Sequence, residues 1–452
     1  MRTRGTRLPR SARKNKGLGN ILNRNGKQNV TDETQTSKHG DTKGKFSKSV
    51  NRTFYSLRNR NYRLYFTGQL ISTTGNWLTN VALTLLVLKI TGSGLAVGLL
   101  AAFQYGPILL LTALAGAIAD RVDKRHLLFV TQTLEMAQSA GLAVMAFMPH
   151  TSLVGLYALA AAGGLFLAFD NPLRRSFITE MVPPEDIPNA VVLNSVMFNI
   201  ARIAGPALAG LLILTVGYGW CFAIDATTYL AVLYSLYIMR PSELRRFAYR
   251  PRAKGEVREG LRYIASMPSL WISFAMVAAI QMLSYNFSTT LPLFVTKALH
   301  SNPGTFTLLY STLSLGAVVS GLIVAQRGLV QLRYIILGAF AMGIAMLILS
   351  SVPSVGVAVP VIFLTGSSAI VFLTASTAII QVEGKHEMHG RLLALQSVLT
   401  GAGSAFGGPI LGWLADAKGG RAPLVLGGAV CVAAAIFGFF ADRRYNRAQR
   451  SS

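Results

Sequence analysis

Charged residues are scarce in this sequence, and their scarcity argues against an ordinary soluble protein. Only 13% of the 452 residues are Asp, Glu, Lys or Arg, and the mean hydropathy is +0.45. Soluble domains average about 25% charged residues. Apolar runs long enough to cross a bilayer core of about 30 Å recur from Tyr62 onward. The chain is therefore predicted to be a membrane protein with many spans.

Residues suited to redox, metal or group-transfer chemistry are also few. The two cysteines, Cys221 and Cys431, both lie in apolar runs, which argues against a disulfide framework and a thiol metal site. The segment from His386 to His389 lacks the two-residue spacer between Glu and the second His that a zincin requires. A membrane enzyme such as an acyltransferase needs a reactive histidine or an acidic cluster, and no histidine lies in mid-span. We therefore expect no enzymatic activity, no cofactor and no metal.

Acidic residues are outnumbered, and the formal net charge is +25. A basic folded domain is the electrostatic footprint of nucleic-acid binding. Here, however, Lys and Arg lie in the N-terminal segment and in short connections between apolar runs. That distribution follows the positive-inside rule, under which cytoplasmic loops collect Lys and Arg. We therefore expect a membrane protein with no nucleic-acid partner.

The chain divides into a polar N-terminal segment and a long apolar remainder. Residues 1–60 cannot bury enough apolar surface to offset their ordering entropy, so we predict a disordered basic tail that can touch anionic lipid headgroups. The remainder predicts twelve spans. They are 64–88, 94–119, 126–147, 153–173, 190–214, 219–239, 269–296, 305–326, 333–352, 356–381, 391–415 and 422–441.

The orientation of these spans follows from the connections. Alternate connections are basic, and the others are nearly free of Lys and Arg. The basic set contains Arg121, Lys124, Arg125, Arg174, Arg175, Arg240 to Arg262, Arg327, Arg333, Lys385 and Arg391, together with both tails. Every strongly basic connection thus lies on one face, which predicts two cytoplasmic termini in a multi-pass protein of the inner or plasma membrane.

The longest internal connection, 240–268, divides the spans six and six. The predicted units are two six-helix halves (61–239 and 269–441), this linker and a cytoplasmic tail (442–452). Within the linker, Val257, Leu261 and Ile264 share one helical face. Such a helix can lie along the inner membrane surface or serve as a solvated linker, and the sequence favours neither.

An internal repeat supports the division. Shifting the fifth span by 202 residues places Asn194 on Gln396, and "GPALAG" resembles "GGPILG". Small residues let helices approach closely, so we expect helix packing at Gly205, Pro206, Gly210, Gly408, Pro409 and Gly412. The predicted fold is an all-α membrane protein with twelve transmembrane helices in two pseudo-symmetric halves.

The connection between the second and third spans carries a motif. In "GAIADRVDKR" the motif residues are Gly116, Asp120, Arg121, Lys124 and Arg125. The stretch resembles the loop 2–3 motif of the major facilitator superfamily, although Asp123 stands where that family usually has a second glycine. "FDNPLRRSFITEMVPPEDIPNAVVLNS" and "ARIAGPALAGLL" are similar to the branch of enterobactin exporters, macrolide and tetracycline efflux proteins and transmembrane secretion effectors.

The resemblance implies a function. It implies a monomeric secondary transporter that exports an amphiphilic drug or siderophore-like metabolite by alternating access, driven by protons. Its partners are then the lipid bilayer, a small-molecule substrate and protons. Uptake of a solute or a lysolipid is the alternative, because the same fold supports it. A sensor that does not transport is a further rival.

The motif is expected to act as a gating latch. An acid such as Asp120 can meet helix N-termini of the opposing half, where unpaired N–H groups favour negative charge. In the family the basic residue of the motif pairs with an acid on the fourth span, and the resemblance makes Asp170 the candidate. A charge cluster with a purely topological role is the alternative.

Three further ionisable residues lie inside spans: Glu135, Arg202 and Asp225. Such groups are costly in a membrane and usually functional. Arg202, near the midplane, can neutralise an anionic substrate or pair with a protonatable acid; an ion pair with Glu135 or Asp170 is the structural alternative. Glu135 and Asp225 are the candidate proton carriers. Relatives often carry Asp in the first span, where this chain has Asn76.

A substrate cavity is expected between the first, second, fourth and fifth spans and their counterparts. Its candidate lining is the set of polar residues on otherwise apolar helices. These are Gln69, Asn76, Asn80, Gln104, Tyr105, Gln281, Tyr285, Asn286, Gln381 and Gln396. A pocket with aromatic walls and a few oriented polar groups suits a lipophilic ligand, but each of these residues can equally serve interhelical hydrogen bonding.

Overall fold

The computed structural model describes residues 55–119, 122–245, 256–327 and 331–451. Most of the predicted basic tail lies outside these ranges, as do the motif residues Asp120 and Arg121 and part of the linker. The helices, contacts and distances are therefore those of these four ranges.

The first six spans are single helices, each running close to its predicted range. They are α1 (Arg60–Thr91), α2 (Gly94–Ala119), α3 (Lys124–Phe147), α4 (Leu153–Met181), α5 (Ile187–Thr215) and α6 (Tyr218–Ile238). We call them the first helix set. Arg60, at the start of α1, donates to the carbonyl of Ile238 at the end of α6 (3.2 Å). We call this end of the bundle the tail end, and the opposite end the far end.

The linker and the last six spans come next. The helices are α7 (Glu256–Ser266) in the linker, then α8 (Pro268–Leu283), α9 (Phe287–Lys297), α10 (Pro303–Arg327), α11 (Leu332–Ser351), α12 (Val355–Glu383), α13 (His389–Lys418) and α14 (Ala422–Ser451). We call α8 to α14 the second helix set. The predicted C-terminal tail continues α14, which was expected to end at residue 441.

Local chemistry accounts for the helix ends. Gly92 follows α1 with φ at 62°, a left-handed conformation that favours glycine, and its N–H donates to the Leu88 carbonyl (2.8 Å). Asp123 caps α3 by accepting from the N–H of His126 (3.1 Å). The chain therefore passes from α1 to α2 within two residues, and Asp123 fixes the start of α3.

Eleven segments of the described residues are long and apolar enough to cross a membrane. The third predicted span, α3, is 24 residues long but carries Gln132, Glu135 and Gln138 in its middle, which lowers its hydropathy. It packs between α4 and α6. The prediction of an all-α, twelve-span fold is confirmed in its architecture.

The two helix sets repeat the same neighbour relations. In the first set α2 packs on α4, α3 on both α4 and α6, and α1 on α5 and α6. In the second set α10 packs on α12, α11 on α12 and α14, and α8 on α13 and α14. The sets meet mainly where α2 contacts α13 and where α5 contacts α10. This is the pseudo-symmetry predicted from the repeat.

The seventh span is broken in its middle. Helix α8 ends at Leu283 and α9 begins at Phe287. The side-chain N–H₂ of Asn286 lies 3.1 and 3.0 Å from the carbonyls of Gln281 and Met282, which the break leaves without helical partners, and 3.3 Å from that of Gly403. Non-helical backbone at membrane depth is tolerated where such partners exist. Asn286 therefore stabilises an irregular segment at the centre of the molecule.

The linker helix α7 packs on the tail end of the second helix set. Ile264 is buried, the Glu259 carboxylate lies 2.7 Å from Arg391 of α13, and the Tyr263 hydroxyl accepts from the N–H of Lys385 (3.0 Å). Leu261, on the same predicted apolar face, is exposed. The helix is thus docked on protein through part of its apolar face rather than standing free.

Glycines bring the two helix sets together at the far end. A Cβ on Gly98 of α2 would collide with the carbonyl of Gly408 on α13, and one on Gly412 with the carbonyl of Gly94. Similarly, a Cβ on Gly210 of α5 would collide with Thr307 of α10. The predicted packing role of this small-residue set fits these contacts.

This close approach predicts a contrast between two alanine substitutions on α2. Gly98→Ala should lower the free energy of unfolding by about 1–3 kcal/mol because the added methyl overpacks the α2–α13 contact. Gly106→Ala, on the same helix, adds a Cβ with nothing within 4 Å and gains helix propensity. Thermal unfolding of the purified variants measures both effects. Equal behaviour of the two variants would contradict the close approach.

Candidate functional site

A buried charge cluster lies within the first helix set. The Arg174 guanidinium pairs with Asp170, one turn earlier on α4, and its Nη2 lies 3.6 Å from the Glu135 carboxylate of α3. Its Nη1 donates to Gln69 of α1 (2.6 Å). Arg174 was expected in a cytoplasmic connection, and this prediction was wrong. Helix α4 runs to Met181, two turns beyond its predicted end at residue 173, so Arg174 lies inside the bundle.

The extra turns of α4 have a clear physical cause. Leu173, Phe177, Ile178 and Met181 recur at helical spacing and are all buried in one apolar cluster at the tail end. The polar residues between them masked this pattern in the sequence. The same extension brings Glu180 beside Lys124.

Polar side chains complete the cluster around Arg174. The Gln132 amide N–H₂ donates to Asp170 (2.8 Å) and to Glu135 (3.1 Å), and the Thr131 hydroxyl donates to Asp170 (3.2 Å). Glu135 is buried, and its carboxylate also interacts with the Tyr229 hydroxyl of α6. Two carboxylates therefore share one guanidinium, and with all three groups ionised the cluster carries one excess negative charge.

Asp225 of α6 is a further buried acidic residue, outside the Arg174 cluster. Its side chain is 1% exposed and accepts from the hydroxyls of Ser139 (2.7 Å) and Thr228 (3.3 Å). No described Lys or Arg forms an ion pair with it. A buried carboxylate that is held by hydroxyls alone is expensive to ionise in a low-dielectric interior.

A small polar cavity adjoins Glu135. Its volume is about 50 Å³, enough for one or two water molecules. Glu135 and Tyr229 line one part of it and Asn80, Gln104 and Tyr105 another. The cavity therefore joins the Glu135 carboxylate to polar side chains of α1 and α2.

Arg202 lies apart from this cluster. The alternative of an ion pair with Glu135 or Asp170 was wrong, because Arg174 pairs with those acids. Arg202 is partly exposed near the middle of α5, and its Nε is buried without a hydrogen-bond partner in the described part of the chain. Tyr310 lies within electrostatic reach of Arg202, Tyr105 and Tyr285. Helices α2, α5 and α10 and the α8–α9 break thus contribute to the surroundings of this cation.

Aromatic rings of α1, α5 and α10 lie in the same region as Arg202. Trp77 of α1 meets Phe198 of α5 edge to face, with ring centroids 5.8 Å apart, and lies 6.5 Å from Tyr310 of α10. Phe198 precedes Arg202 by one helical turn, so the two share a face of α5. We call Trp77, Tyr105, Arg202, Tyr285 and Tyr310 the central cluster.

The other predicted cavity residues have varied surroundings. Asn76 donates to the Tyr229 hydroxyl (3.4 Å), and Gln281 donates to the Thr400 hydroxyl (2.9 Å). Gln396 is buried and accepts from Thr377 (3.2 Å), whereas Gln381 is exposed near the end of α12. Gln69 belongs to the Arg174 cluster and Asn286 to the α8–α9 break. Of the remaining candidates, all partly exposed, Tyr105 and Tyr285 belong to the central cluster, and Asn80 and Gln104 line the small polar cavity.

The described residues include part of the loop 2–3 motif. Gly116 lies in the last turn of α2. Lys124 pairs with Glu180 of α4, whereas the candidate acid Asp170 pairs with Arg174. Arg121, another basic residue of the motif, lies outside the described residues. Arg125 donates to the carbonyls of Leu236 (2.8 Å) and Tyr237 (3.1 Å), which caps the end of α6. These contacts tie α3, α4 and α6 together at the tail end.

One acidic residue in a prominent position was not among the candidates predicted from the sequence. The Asp416 carboxylate, at the far end of α13, accepts from the N–H groups of Gly94 (2.7 Å) and Leu95 (2.9 Å) at the start of α2. It also accepts from the Ser93 hydroxyl (2.7 Å) and pairs with Lys297 of α9 (2.5 Å). A signal was present in the sequence, because "GAIAD" (116–120) and "GWLAD" (412–416) share the pattern Gly-x-x-Ala-Asp.

Comparisons with known proteins agree with this architecture. A family model described as transmembrane secretion effector matches residues 51–451. The staphyloferrin A transporter of Staphylococcus aureus is 25% identical over 294 residues, which are 63% of this chain and 72% of that protein. The multidrug efflux pump Tap of Mycolicibacterium fortuitum is 23% identical over 79% of this chain and 91% of its own length.

Solved structures show the same fold. The inward-facing, unoccupied structure of a bacterial homologue of the human lysosomal transporter Spinster matches with a TM-score of 0.69 and 15% identity, over 86% of this chain and 98% of that one. A D-xylose–proton symporter matches with a TM-score of 0.66 and 15% identity, over 85% and 97%. Because the family model covers nearly the whole described chain, this protein belongs to the transmembrane secretion effector family of the major facilitator superfamily of membrane transporters.

Proposed function

We propose that the protein is a proton-driven exporter that moves an amphiphilic small molecule out of the cytoplasm by alternating access. The observation that carries this proposal is the buried set of Glu135, Asp170 and Arg174, two carboxylates that share one cation. The relatives support export of a drug-like or siderophore-like compound, since they include the efflux pump Tap and the enterobactin exporter EntS.

The charge count of the set explains why a proton should bind. Charges buried in a low-dielectric interior must be paired, since unpaired ones carry a desolvation cost of several kcal/mol. Arg174 offsets one carboxylate, and a proton offsets the other. Glu135 is the acceptor of that proton, because its side chain lines the polar cavity. Asp170 does not line it and is held by Arg174, Thr131 and Gln132. Asp225, buried with no ion pair to a described Lys or Arg, is a second site of the same kind.

Alternating access supplies the link between proton and substrate. The close contacts between the helix sets lie at the far end, where Gly94 and Gly98 face Gly412 and Gly408. This state is closed at the far end. With basic connections and both tails assigned to the cytoplasm, the central cluster then receives substrate from the inside. Rocking of the sets moves the opening to the outside.

A dye-efflux assay tests the function. Cells that express the chain are loaded with carboxyfluorescein (as its diacetate ester) or with rhodamine 123, and dye retention is followed with and without an uncoupler. We expect faster loss of at least one dye, and the uncoupler should remove the difference from cells without the chain. Faster entry would favour the alternative of uptake, and lysolipid movement that ignores the uncoupler would favour a lipid transporter; either result contradicts the proposal.

A further inference from the structure

The central cluster has a composition that points to a class of substrate. Its only charged member is Arg202, which has no ion pair and no hydrogen bond in the part of the chain that the structure describes. The acids that could neutralise it are committed elsewhere, since Glu135 and Asp170 pair with Arg174. A cation at mid-membrane depth needs an anionic partner, and here the described residues do not supply one.

The rings around Arg202 restrict the shape of that partner. Trp77, Tyr105, Tyr285 and Tyr310 come from α1, α2, the α8–α9 break and α10, and each is partly exposed. Ring faces and edges of this kind accept an aromatic body by offset or edge-to-face packing. The planar guanidinium fork fits a carboxylate or a similar oxyanion with two parallel hydrogen bonds.

We propose that the central cluster binds an aromatic organic anion, with its oxyanion group on Arg202 and its rings among Trp77, Tyr105, Tyr285 and Tyr310. The inference rests on the proposed function, of which it specifies the substrate class. The break in the seventh span contributes by presenting Tyr285 from non-helical backbone at the centre of the molecule.

Two dyes with the same xanthene skeleton and opposite charge test this site. Binding of carboxyfluorescein, an anion, and of rhodamine 123, a cation, is measured by fluorescence anisotropy on the purified chain in nanodiscs of neutral lipid. Arg202→Gln should weaken carboxyfluorescein binding at least about tenfold, as expected for loss of a charge-assisted pair, and should leave rhodamine 123 binding unchanged or tighter. Arg202→Lys should be intermediate, and Arg175→Gln, which changes an exposed neighbour of Arg174, should have no effect.

The outcomes separate the site from the function. No saturable binding of carboxyfluorescein, or equal losses for both dyes in Arg202→Gln, overturns the anion site. Charge-selective binding without gradient-driven transport rejects proton-driven export but leaves the anion site standing. Efflux of rhodamine 123 that needs the proton gradient, without binding of carboxyfluorescein, retains the function and overturns the site.

A second inference comes independently from Asp416. Its carboxylate joins α13 to α2 and α9 at once, through two backbone N–H groups, one hydroxyl and one ammonium. The N–H groups of Gly94 and Leu95 are among those that no helical carbonyl satisfies, and the helix start carries partial positive charge. The bonds to Ser93, Gly94 and Leu95 cross between the helix sets, so opening the far end must break them, whereas the pair with Lys297 lies within the second set.

We infer that Asp416 is the latch that holds the far end closed. The shared Gly-x-x-Ala-Asp pattern places an acid at the end of α2 and another at the end of α13, and these helices pack against each other in opposite directions. In the loop 2–3 resemblance Asp120 is the latch of the tail end. Asp416 then holds the far end closed as Asp120 holds the tail end, and the two latches close in alternate states.

Spin-label distances across the far end test the latch. Labels on His150→Cys and Pro353→Cys, both exposed far-end positions on opposite helix sets, are compared in a background where Cys221 and Cys431 are alanine. Asp416→Asn should raise the ratio of long to short distances at least about tenfold, since charge-assisted hydrogen bonds are lost. Lys418→Gln, two residues away and exposed, is the matched control. An unchanged distance distribution in Asp416→Asn overturns the latch, provided that a label pair within one helix set shows the fold intact.

Discussion

Replacing Glu135 with glutamine is expected to abolish gradient-driven transport while sparing substrate binding. The variant keeps the size of the side chain and an oxygen that can accept the hydrogen bond from Gln132, but it removes the carboxylate that takes up the proton. The remaining pair of Asp170 and Arg174 is then neutral in every step. Concentrative transport should fall at least about tenfold, equivalent to about 1.4 kcal/mol of lost coupling.

The partial reactions make this expectation specific. Exchange of labelled for unlabelled substrate, which needs no net proton movement, should persist in Glu135→Gln. Glu185→Gln alters an exposed acid in the connection between α4 and α5 and serves as the matched control, with transport unchanged. If Glu135→Gln transported against a gradient as well as the unaltered protein does, Glu135 would not be the coupling carboxylate.

Replacing Arg174 with glutamine is expected to cause the largest loss of stability of any single change in the charge cluster. Removal of the guanidinium leaves Asp170 and Glu135 buried beside each other without a cation. Breaking one partner of a buried pair typically costs about 3–5 kcal/mol, a large share of the roughly 5–15 kcal/mol that stabilises a domain. The measurement is thermal unfolding of the purified protein, together with the yield of monodisperse material.

A second substitution separates charge from packing. Arg174→Gln combined with Asp170→Asn removes one negative charge along with the positive one, and we expect it to recover a substantial part of the lost stability. Arg175→Gln, at the next position but exposed, should change little. A double variant no more stable than Arg174→Gln alone would show that the guanidinium matters through its packing rather than through the charge balance.

The span architecture was accessible from the sequence because hydrophobic length is a strong signal. Eleven segments of the described residues are long and apolar enough to cross a membrane. The repeat between "GPALAG" and "GGPILG" predicted that the two halves match. The glycine contacts were also foreseeable, since Gly408 and Gly412 were expected at a helix interface. Long, uniformly apolar runs leave little ambiguity about where a membrane span lies.

The partners of the charges were not accessible in the same way. A stretch such as "RRSFITEM" reads as a polar connection, but Phe177, Ile178 and Met181 bury enough surface to continue α4. Because that boundary was placed too early, Arg174 was assigned to a loop, and its pairing with Asp170 was missed. Side-chain pairing depends on helix rotation and depth, which periodicity does not specify for helices that are apolar on all sides.

Asp416 illustrates a different limit of prediction from the sequence. Its pentapeptide repeats that of Asp120, yet the meaning of the repeat depends on α2 and α13 lying side by side in opposite directions. Asn286 is similar, because its three carbonyl contacts exist only where the seventh span breaks. Long-range juxtapositions of this kind are a property of the fold rather than of any local pattern.

Transport into proteoliposomes that contain the purified protein and an acidic lumen tests proton coupling most directly. Carboxyfluorescein is added outside, its accumulated amount is measured after filtration, and empty liposomes correct for passive entry. We predict accumulation above the external concentration that disappears when an ionophore collapses the pH gradient, and that is absent in Glu135→Gln but retained in Glu185→Gln. If the protein accumulates carboxyfluorescein equally with and without the gradient, or equally in Glu135→Gln, that result would contradict a proton-driven exporter coupled through Glu135.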